Sequence, residues 1–113
     1  MIKVNNKIII KKKKIISPLK QGLGLMFFPR SKFDFGLIFK REYESIVGSS
    51  IHMLFVFYPI NVIFLDSNKK VVDIKKRLRP FTFYSPKKKA KYIIELPIET
   101  DISFIKINDI ISF

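Results

Sequence analysis

Histidine is the first residue type that could carry chemistry, and the chain has one, His52. It stands between Ile51 and Met53 at the start of the most apolar segment of the sequence. As a general base, His52 would need a carboxylate within hydrogen-bonding distance, and Asp66 and Glu95 are the candidates. The alternative is a structural histidine that is hydrogen-bonded at the end of a strand, and we expect this second role.

Glu95 is the second candidate because it interrupts an apolar segment, residues 92–96. Alternation along a strand would place it on the same face as Ile93. An inward carboxylate would pair with Arg30, Arg79 or a lysine and could line a ligand pocket. The ordinary alternative is a side chain that points to solvent, and we expect that orientation.

Other catalytic and metal sites lack their residue patterns. The chain has no cysteine and its carboxylates are scattered singly, so we expect no zinc or calcium site. Ser49, Ser50 and Ser85 are not set in a nucleophile motif, and Gly22-x-Gly24 lacks the rest of a phosphate-binding loop. We therefore expect that the protein uses no cofactor. We also expect a binding module rather than an enzyme.

The best candidate for a partner-binding surface is the basic and aromatic stretch at residues 75–91. Cations bind phosphates and aromatic rings stack on unpaired bases, so this composition is typical of surfaces for single-stranded nucleic acid. The alternation of Phe81 and Phe83 is equally typical of a strand with one face in the core, and we expect that arrangement. The residues of the candidate surface are Lys75, Lys76, Arg77, Arg79, Tyr84, Lys87, Lys88 and Lys89.

The net charge of +13 over 113 residues leaves two interpretations open. One is a partner rich in phosphate. The other is biased composition, because 18 of the 22 basic residues are lysine and lysine enrichment also accompanies thermophily. Arginine is the residue that clamps phosphates and bases with two hydrogen bonds, and the chain has only four. Nucleic-acid association is therefore the alternative and not the leading hypothesis.

The apolar segments are short, β-branched and aromatic, which favours strands over helices. Residues 11–14 are all lysine and suit a charged edge strand. Ser17-Pro18 predicts the start of one short helix, residues 41–50 a loop or short helix, and Asp66-Ser67-Asn68-Lys69 the turn of a hairpin. Strands are predicted at residues 7–16, 35–40, 51–58, 61–66, 71–74, 81–84, 91–96 and 106–113. The sequence predicts an all-β fold in one domain, residues 1–113, built as a compact β-barrel or jelly-roll-like sandwich.

No segment has the pattern of a membrane span or a secretion signal. The longest apolar run, residues 53–65, contains Pro59 and Asn61 and is shorter than the ~20 residues that cross a bilayer. The apolar triplet at residues 8–10 is followed at once by lysines, which is the wrong order for a signal. The lack of cysteine fits a reducing compartment. We expect a soluble cytoplasmic protein, and the sequence does not indicate its oligomeric state.

Five short blocks, in consistent order over positions 20 to 113, resemble the motifs of the DUF192 family (domain of unknown function 192) of bacteria and archaea. The blocks are Gly24-Leu25-Met26-Phe27, Gly36-Leu37-Ile38-Phe39, Met53 followed by Pro59-Ile60-Asn61-Val62-Ile63-Phe64-Leu65-Asp66, Lys70-Val71-Val72-Asp73, and Pro80 followed by Tyr92-Ile93-Ile94-Glu95-Leu96. Ser50-Ile51-His52-Met53 is similar to an archaeal-type branch. The resemblance implies a small β-barrel or sandwich and no established reaction.

The chain departs from the family pattern at polar positions. Many members have Lys-Asn-Thr where this chain has Leu54-Phe55-Val56, and an aspartate where it has Asn61. The glycine that the family has after the Glu-Leu strand is missing from Pro97-Ile98-Glu99-Thr100, and its late Gly-Asp is Asn108-Asp109 here. The leading hypothesis is therefore a non-enzymatic binding module whose ligand the sequence does not name.

Overall fold

Short β-branched and aromatic segments form ten strands in the computed structural model, which describes residues 1–16 and 24–113. One 3₁₀ turn, Arg30–Lys32, is the helical element of these residues. The mainly-β fold is thus confirmed. The strands are β1 (Ile2–Val4), β2 (Lys7–Ile10), β3 (Lys13–Ile16), β4 (Gly36–Ser45), β5 (Ile51–His52), β6 (Ile60–Leu65), β7 (Val71–Leu78), β8 (Phe83–Tyr84), β9 (Ala90–Pro97) and β10 (Ile111–Ser112).

A five-stranded sheet in the order β3-β4-β9-β6-β7 is the centre of the fold. Its pairs are antiparallel except β3 and β4, which run parallel. A three-stranded sheet, β10-β1-β2, and a two-stranded sheet, β5-β8, complete the arrangement. The edge strands β3 and β7 do not pair with each other, so the predicted barrel is not closed. Closure is not needed to bury apolar surface, because both faces of the central sheet are covered.

The central sheet has one hydrophobic cluster on each face. Along β6, Val62 and Phe64 belong to the cluster on one face, whereas Ile63 and Leu65 belong to the cluster on the other. The first cluster includes Ile51 of β5, and the second includes strands β1 and β10. Every residue of β6 is therefore buried, which explains why its sequence is apolar without alternation.

The hairpin of β6 and β7 confirms the strongest turn prediction. The Asp66 carboxylate accepts hydrogen bonds from the backbone N–H groups of Asn68 and Lys70 at 2.9 and 3.0 Å. Lys69 takes the left-handed conformation, with φ 62°. Asp66 therefore holds the turn.

Several predicted segments differ from the structure. The strand predicted at 51–58 ends after His52, because a turn follows in which Phe55 has a φ of 59° and exposes its ring. The segment 7–16 is broken at residues 11 and 12 into β2 and β3, which lie in different sheets. Strand β4 continues through Ser45, where a loop or short helix was predicted.

Two further predictions concern the start of the chain. Lys13 and Lys14 are exposed on β3, an edge strand, as their charge predicts. Strand β1 was missed, and it forms a hairpin with β2 through Asn5 and Asn6, whose φ angles of 50° and 66° suit asparagine. The helix start predicted at Ser17-Pro18 lies outside the described residues.

Candidate functional site

A cavity of about 150 Å³ opens on one face of the central sheet, between β4, β9, β5 and the turn at residues 24–27. A cavity of this volume holds a molecule about as large as benzene. Its apolar wall includes Leu25, Met26, Phe39, Ile51 and Val56, and its polar side chains are Arg41, Ser50, His52 and Glu95. This combination of an apolar wall with a few convergent polar groups is typical of ligand sites.

Glu95 is the most buried ionisable group of the cavity, with 5% of its surface exposed. It lies on β9 between Leu37 of β4 and Val62 of β6, on the same face as Ile93. Its predicted solvent-facing orientation is therefore wrong, and strand alternation gave the correct side. Burial raises the pKa of Glu95 to about 8, although the nearby Arg41 cation acts in the opposite direction.

Arg41 is the cation that faces Glu95, in place of the Arg30 or Arg79 that the sequence suggested. It follows Leu37 and Phe39 at alternate positions of β4, so all three side chains lie on one face. Burial lowers the pKa of Arg41, and the charge of Glu95 opposes that change. Arg30 instead forms an exposed ion pair with Glu99 at 3.1 Å.

Tyr58 is a buried residue near Glu95 that sequence reasoning did not identify, although it is not among the residues that line the cavity. Its hydroxyl is buried and has no hydrogen-bond partner among the residues that the structure describes. Burial and, secondarily, the charge of Glu95 raise the pKa of Tyr58 to about 12. The phenol therefore lies within electrostatic reach of Glu95. Nothing in the sequence singled out Tyr58, because an apolar run with one tyrosine is typical of core.

His52 lies at the cavity, in strand β5. Its Nδ1 accepts a hydrogen bond from the backbone N–H of Leu54 at 3.2 Å. This bond is what a structural histidine at a strand end makes, and it places the proton of the neutral ring on Nε2. The structure thus brings His52 and Glu95 to one cavity but leaves Asp66 in the β6–β7 turn.

The serine candidates are bound to neighbouring segments. Ser49 is buried and donates to the carbonyl of Ala90. The Ser50 hydroxyl donates to the carbonyl of Ile46 and contacts the Ser85 hydroxyl, each at 2.8 Å. These hydroxyls therefore join the loop after β4 to the segments before β9.

Phe81 and Phe83 of the basic and aromatic stretch lie outside the core, which makes their expected core position wrong, whereas Tyr84 packs against the core. Phe83 is 73% exposed and Phe81 is 49% exposed. A groove of about 210 Å³ runs beside Phe83 between the end of β7 and β8. Its lining residues are Lys75, Arg77, Leu78, Arg79, Thr82, Phe83 and Tyr84.

Tyr84 and Lys87 help to fix this stretch on the central sheet through Asp73. The buried Asp73 carboxylate accepts hydrogen bonds from the Tyr84 hydroxyl at 2.6 Å and the Lys87 backbone N–H at 3.1 Å. Burial and the contact with Asp73 raise the pKa of Tyr84 to about 12. The side chains of Lys76, Lys87, Lys88 and Lys89 are exposed around it.

Neither a clustered metal site nor a membrane-spanning helix is found within residues 1–16 and 24–113. No group of three or more histidine, aspartate or glutamate residues there is placed to hold a metal ion. In the same part of the chain, no helix has the length and apolar character needed to cross a membrane.

Sequence comparison places the chain among uncharacterised proteins. Residues 2–112 match the family model DUF192, described as Uncharacterized ACR. A UPF0127 protein of Thermococcus sibiricus is 48% identical over 79 residues, which cover 70% of this chain and 49% of that protein. A UPF0127 protein of Pyrococcus furiosus is also 48% identical, over 70% of this chain and 65% of its own length. The match thus spans about half to two thirds of these relatives.

Two solved structures share the fold. A protein of unknown function from Novosphingobium aromaticivorans has a TM-score of 0.75 at 19% identity, covering 89% of this chain and 74% of its own. A putative transcription regulator from Sinorhizobium meliloti has a TM-score of 0.76 at 17% identity, covering 88% and 79%. At these identities the likeness shows the fold alone. The match over residues 2–112, together with the archaeal relatives, shows that the chain belongs to the DUF192 family.

Proposed function

We propose that this protein is a binding module for a small organic acid held in the cavity of Glu95 and Arg41. One observation carries the proposal: a glutamate that is 5% exposed and an arginine face the same small cavity within an otherwise apolar wall. Burying ionisable groups is costly to folding, and apolar side chains of similar volume would stabilise such a position better. Perturbed ionisable groups in a cleft are therefore candidates for ligand binding.

The charges of the cavity favour an acid over an amine as the ligand. With its pKa raised to about 8, the Glu95 carboxyl is largely protonated at pH 7. It can then donate a hydrogen bond, while Arg41 keeps its positive charge. A carboxylate would accept hydrogen bonds from both groups. The volume of about 150 Å³ limits the ligand to a few carbon atoms.

A thermal-shift titration tests the proposal with acetate, propionate, lactate and the uncharged amides of the same acids. The acids should raise the melting temperature more than the amides do. Arg41→Gln should weaken binding about tenfold, since one charge-assisted hydrogen bond is lost. Glu42→Gln is the matched control, because Glu42 is exposed on the same strand. Equal responses to acids and amides, or equal losses in both variants, would refute the proposal.

His52→Ala separates this binding role from the alternative in which His52 and a carboxylate of the protein catalyse a reaction. His52 lines the cavity but its Nδ1 is already engaged by Leu54. The variant should therefore keep most of its acid binding. Loss of a chemical turnover of the bound acid, with binding retained, would favour an enzyme instead.

Nucleic-acid association is the second candidate function, and the exposure of Phe83 beside Arg77 and Arg79 favours it. The Sinorhizobium meliloti relative in fold is titled a putative transcription regulator, which is in keeping with this candidate. Fluorescence anisotropy with labelled single-stranded RNA and duplex DNA tests it at low and near-physiological salt. Binding that survives near-physiological salt would support it, and binding that vanishes would make the charge a matter of composition. The cytoplasmic location stays a prediction.

A further inference from the structure

We propose that the groove between the end of β7 and β8 binds single-stranded nucleic acid, with a base on Phe83 and phosphates at Arg77 and Arg79. This inference rests on the second candidate function and names its partner class and contact residues. Four features of the groove support it: a bulge that aims Arg77, an exposed ring, cations without carboxylate partners, and a concave shape.

A β-bulge in β7 sets the direction of Arg77. Ile60 of β6 pairs with Leu78, while Val62 pairs with Lys75, so β7 has one extra residue over this interval. The side chain of Asn61 stabilises the bulge, since its Oδ1 accepts the Arg77 backbone N–H at 3.0 Å. Bulges change the direction of a side chain and bend the strand that carries them. Arg77 consequently lines the groove.

Arg77 and Phe81 hold backbone conformations that glycine would adopt more easily. Their φ angles are 52° and 59°, in the left-handed region. Strained positions of this kind cluster at binding sites, where the side chain has a use that offsets the strain. A glycine at position 77 would permit the bulge and would remove the whole side chain. Arginine is therefore not required there by the backbone conformation.

Phe83 offers a free ring beside these cations. It is 73% exposed, and its partner in the β5–β8 pair is His52, with ring centroids 6.3 Å apart. Tyr84 is less available, because its hydroxyl is bonded to Asp73 and the Lys75 ammonium lies 5.5 Å from its ring centroid. A groove of about 210 Å³ exceeds the volume that holds a benzene ring, so a flat base fits it.

Arg77 and Arg79 of the groove have no ion-pair partner among the described residues, whereas the Lys75 ammonium lies over the Tyr84 ring. Within residues 1–16 and 24–113, the two ion pairs are Lys12–Asp34 and Arg30–Glu99. No carboxylate of the described residues lies within ion-pair distance of Lys75, Arg77 or Arg79. The groove therefore carries uncompensated positive charge, which complements a phosphate chain.

A nucleic-acid strand suits this site because Arg77, Arg79 and Phe83 line a concave groove. Exposed apolar rings, which interfacial binding uses, are also present at Phe55, Phe57 and Phe81, so binding to a lipid surface is an outcome of the test. Base stacking also requires a strand whose bases are unpaired, so a duplex should bind less tightly.

The test compares single-stranded RNA with duplex DNA by fluorescence anisotropy over a series of salt concentrations. Wild type should prefer the single strand. Arg77→Gly should lower the slope of log affinity against log salt by about 0.7 while its melting temperature stays equal to or above that of wild type. Phe83→Ala should weaken binding about fivefold or more. The controls are Lys11→Ala, next to the opposite sheet edge, and Tyr43→Ala, an exposed ring on β4; both should bind like wild type.

Three results would overturn the inference. Equal binding of both nucleic acids, with all four variants alike, would refute the groove and leave nucleic-acid association standing. An absence of binding at every salt concentration would refute both. If the protein binds phosphatidylserine vesicles but not RNA, and Phe83→Ala loses the vesicle binding, the surface is a lipid-binding surface.

Discussion

Replacing Glu95 with glutamine should remove a pH dependence of stability that the wild-type protein shows between pH 5 and 8. Burial raises the pKa of this carboxyl from 4.5 to about 8 in the folded protein. Between those values the unfolded chain releases a proton that the folded protein keeps. The Glu95 contribution to stability is therefore fully present below pH 4.5 and is lost as the pH rises to 8.

The magnitude follows from the two pKa values. Each pH unit within the window lowers the free energy of unfolding by about 1.4 kcal/mol. Between pH 5 and 7 the loss is about 2.5 kcal/mol, because the unfolded carboxyl is still partly protonated at pH 5. Four other carboxylates titrate below this window, since hydrogen bonds lower the pKa values of Asp34, Glu44, Glu99 and Asp101.

Urea denaturation at pH 5, 6, 7 and 8 measures the effect in wild type and in Glu95→Gln. Wild type should lose stability steadily as the pH rises, and the variant should lose much less. Glu42→Gln, with its exposed side chain on β4, should follow wild type. Parallel curves for wild type and Glu95→Gln would refute the reasoning, because Glu95 would then be ionised in the folded protein.

Three further substitutions test local parts of the account by denaturation. Tyr58→Phe removes a buried hydroxyl without a described partner, so the free energy of unfolding should stay equal or rise by about 1 kcal/mol. A decrease of about 2 kcal/mol or more would mean that the hydroxyl has a hydrogen-bond partner. Tyr84→Phe removes the 2.6 Å bond to Asp73 and should cost about 1.5–3 kcal/mol, and an unchanged value would show that the bond contributes nothing. Gly36→Ala should cost about 1–3 kcal/mol, since the added Cβ would overlap the buried Ile2 side chain; a neutral result would show that Ile2 moves aside freely.

Alternation and turn chemistry made parts of the central sheet predictable from sequence. The β6–β7 hairpin follows from Asp66 and the residues after it, because a carboxylate there satisfies backbone N–H groups locally. The inward side of Glu95 follows from its parity with Ile93. We expected a solvent-facing side chain because burying a carboxylate is generally costly to folding. Binding and catalytic sites often bury such groups despite that cost.

The other parts of the site depend on contacts between distant segments. Arg41 reaches Glu95 because β4 and β9 are neighbours, and the sequence gives no register for that pair. Phe81 and Phe83 alternate as core residues do, yet β8 pairs only with the short β5 and leaves their rings exposed. The bulge at Arg77 has no signal in the local sequence, because the side chain that stabilises it belongs to Asn61 on the neighbouring strand β6.

An NMR titration of the backbone amides with propionate tests whether the cavity of Glu95 and Arg41 binds a small organic acid. The account predicts saturable shifts at the cavity residues Phe39, Arg41, His52, Val56 and Glu95, and a much weaker response in Arg41→Gln. If the resonances of these amides do not move, or if they move equally in wild type and in Arg41→Gln, the cavity is not an acid-binding site.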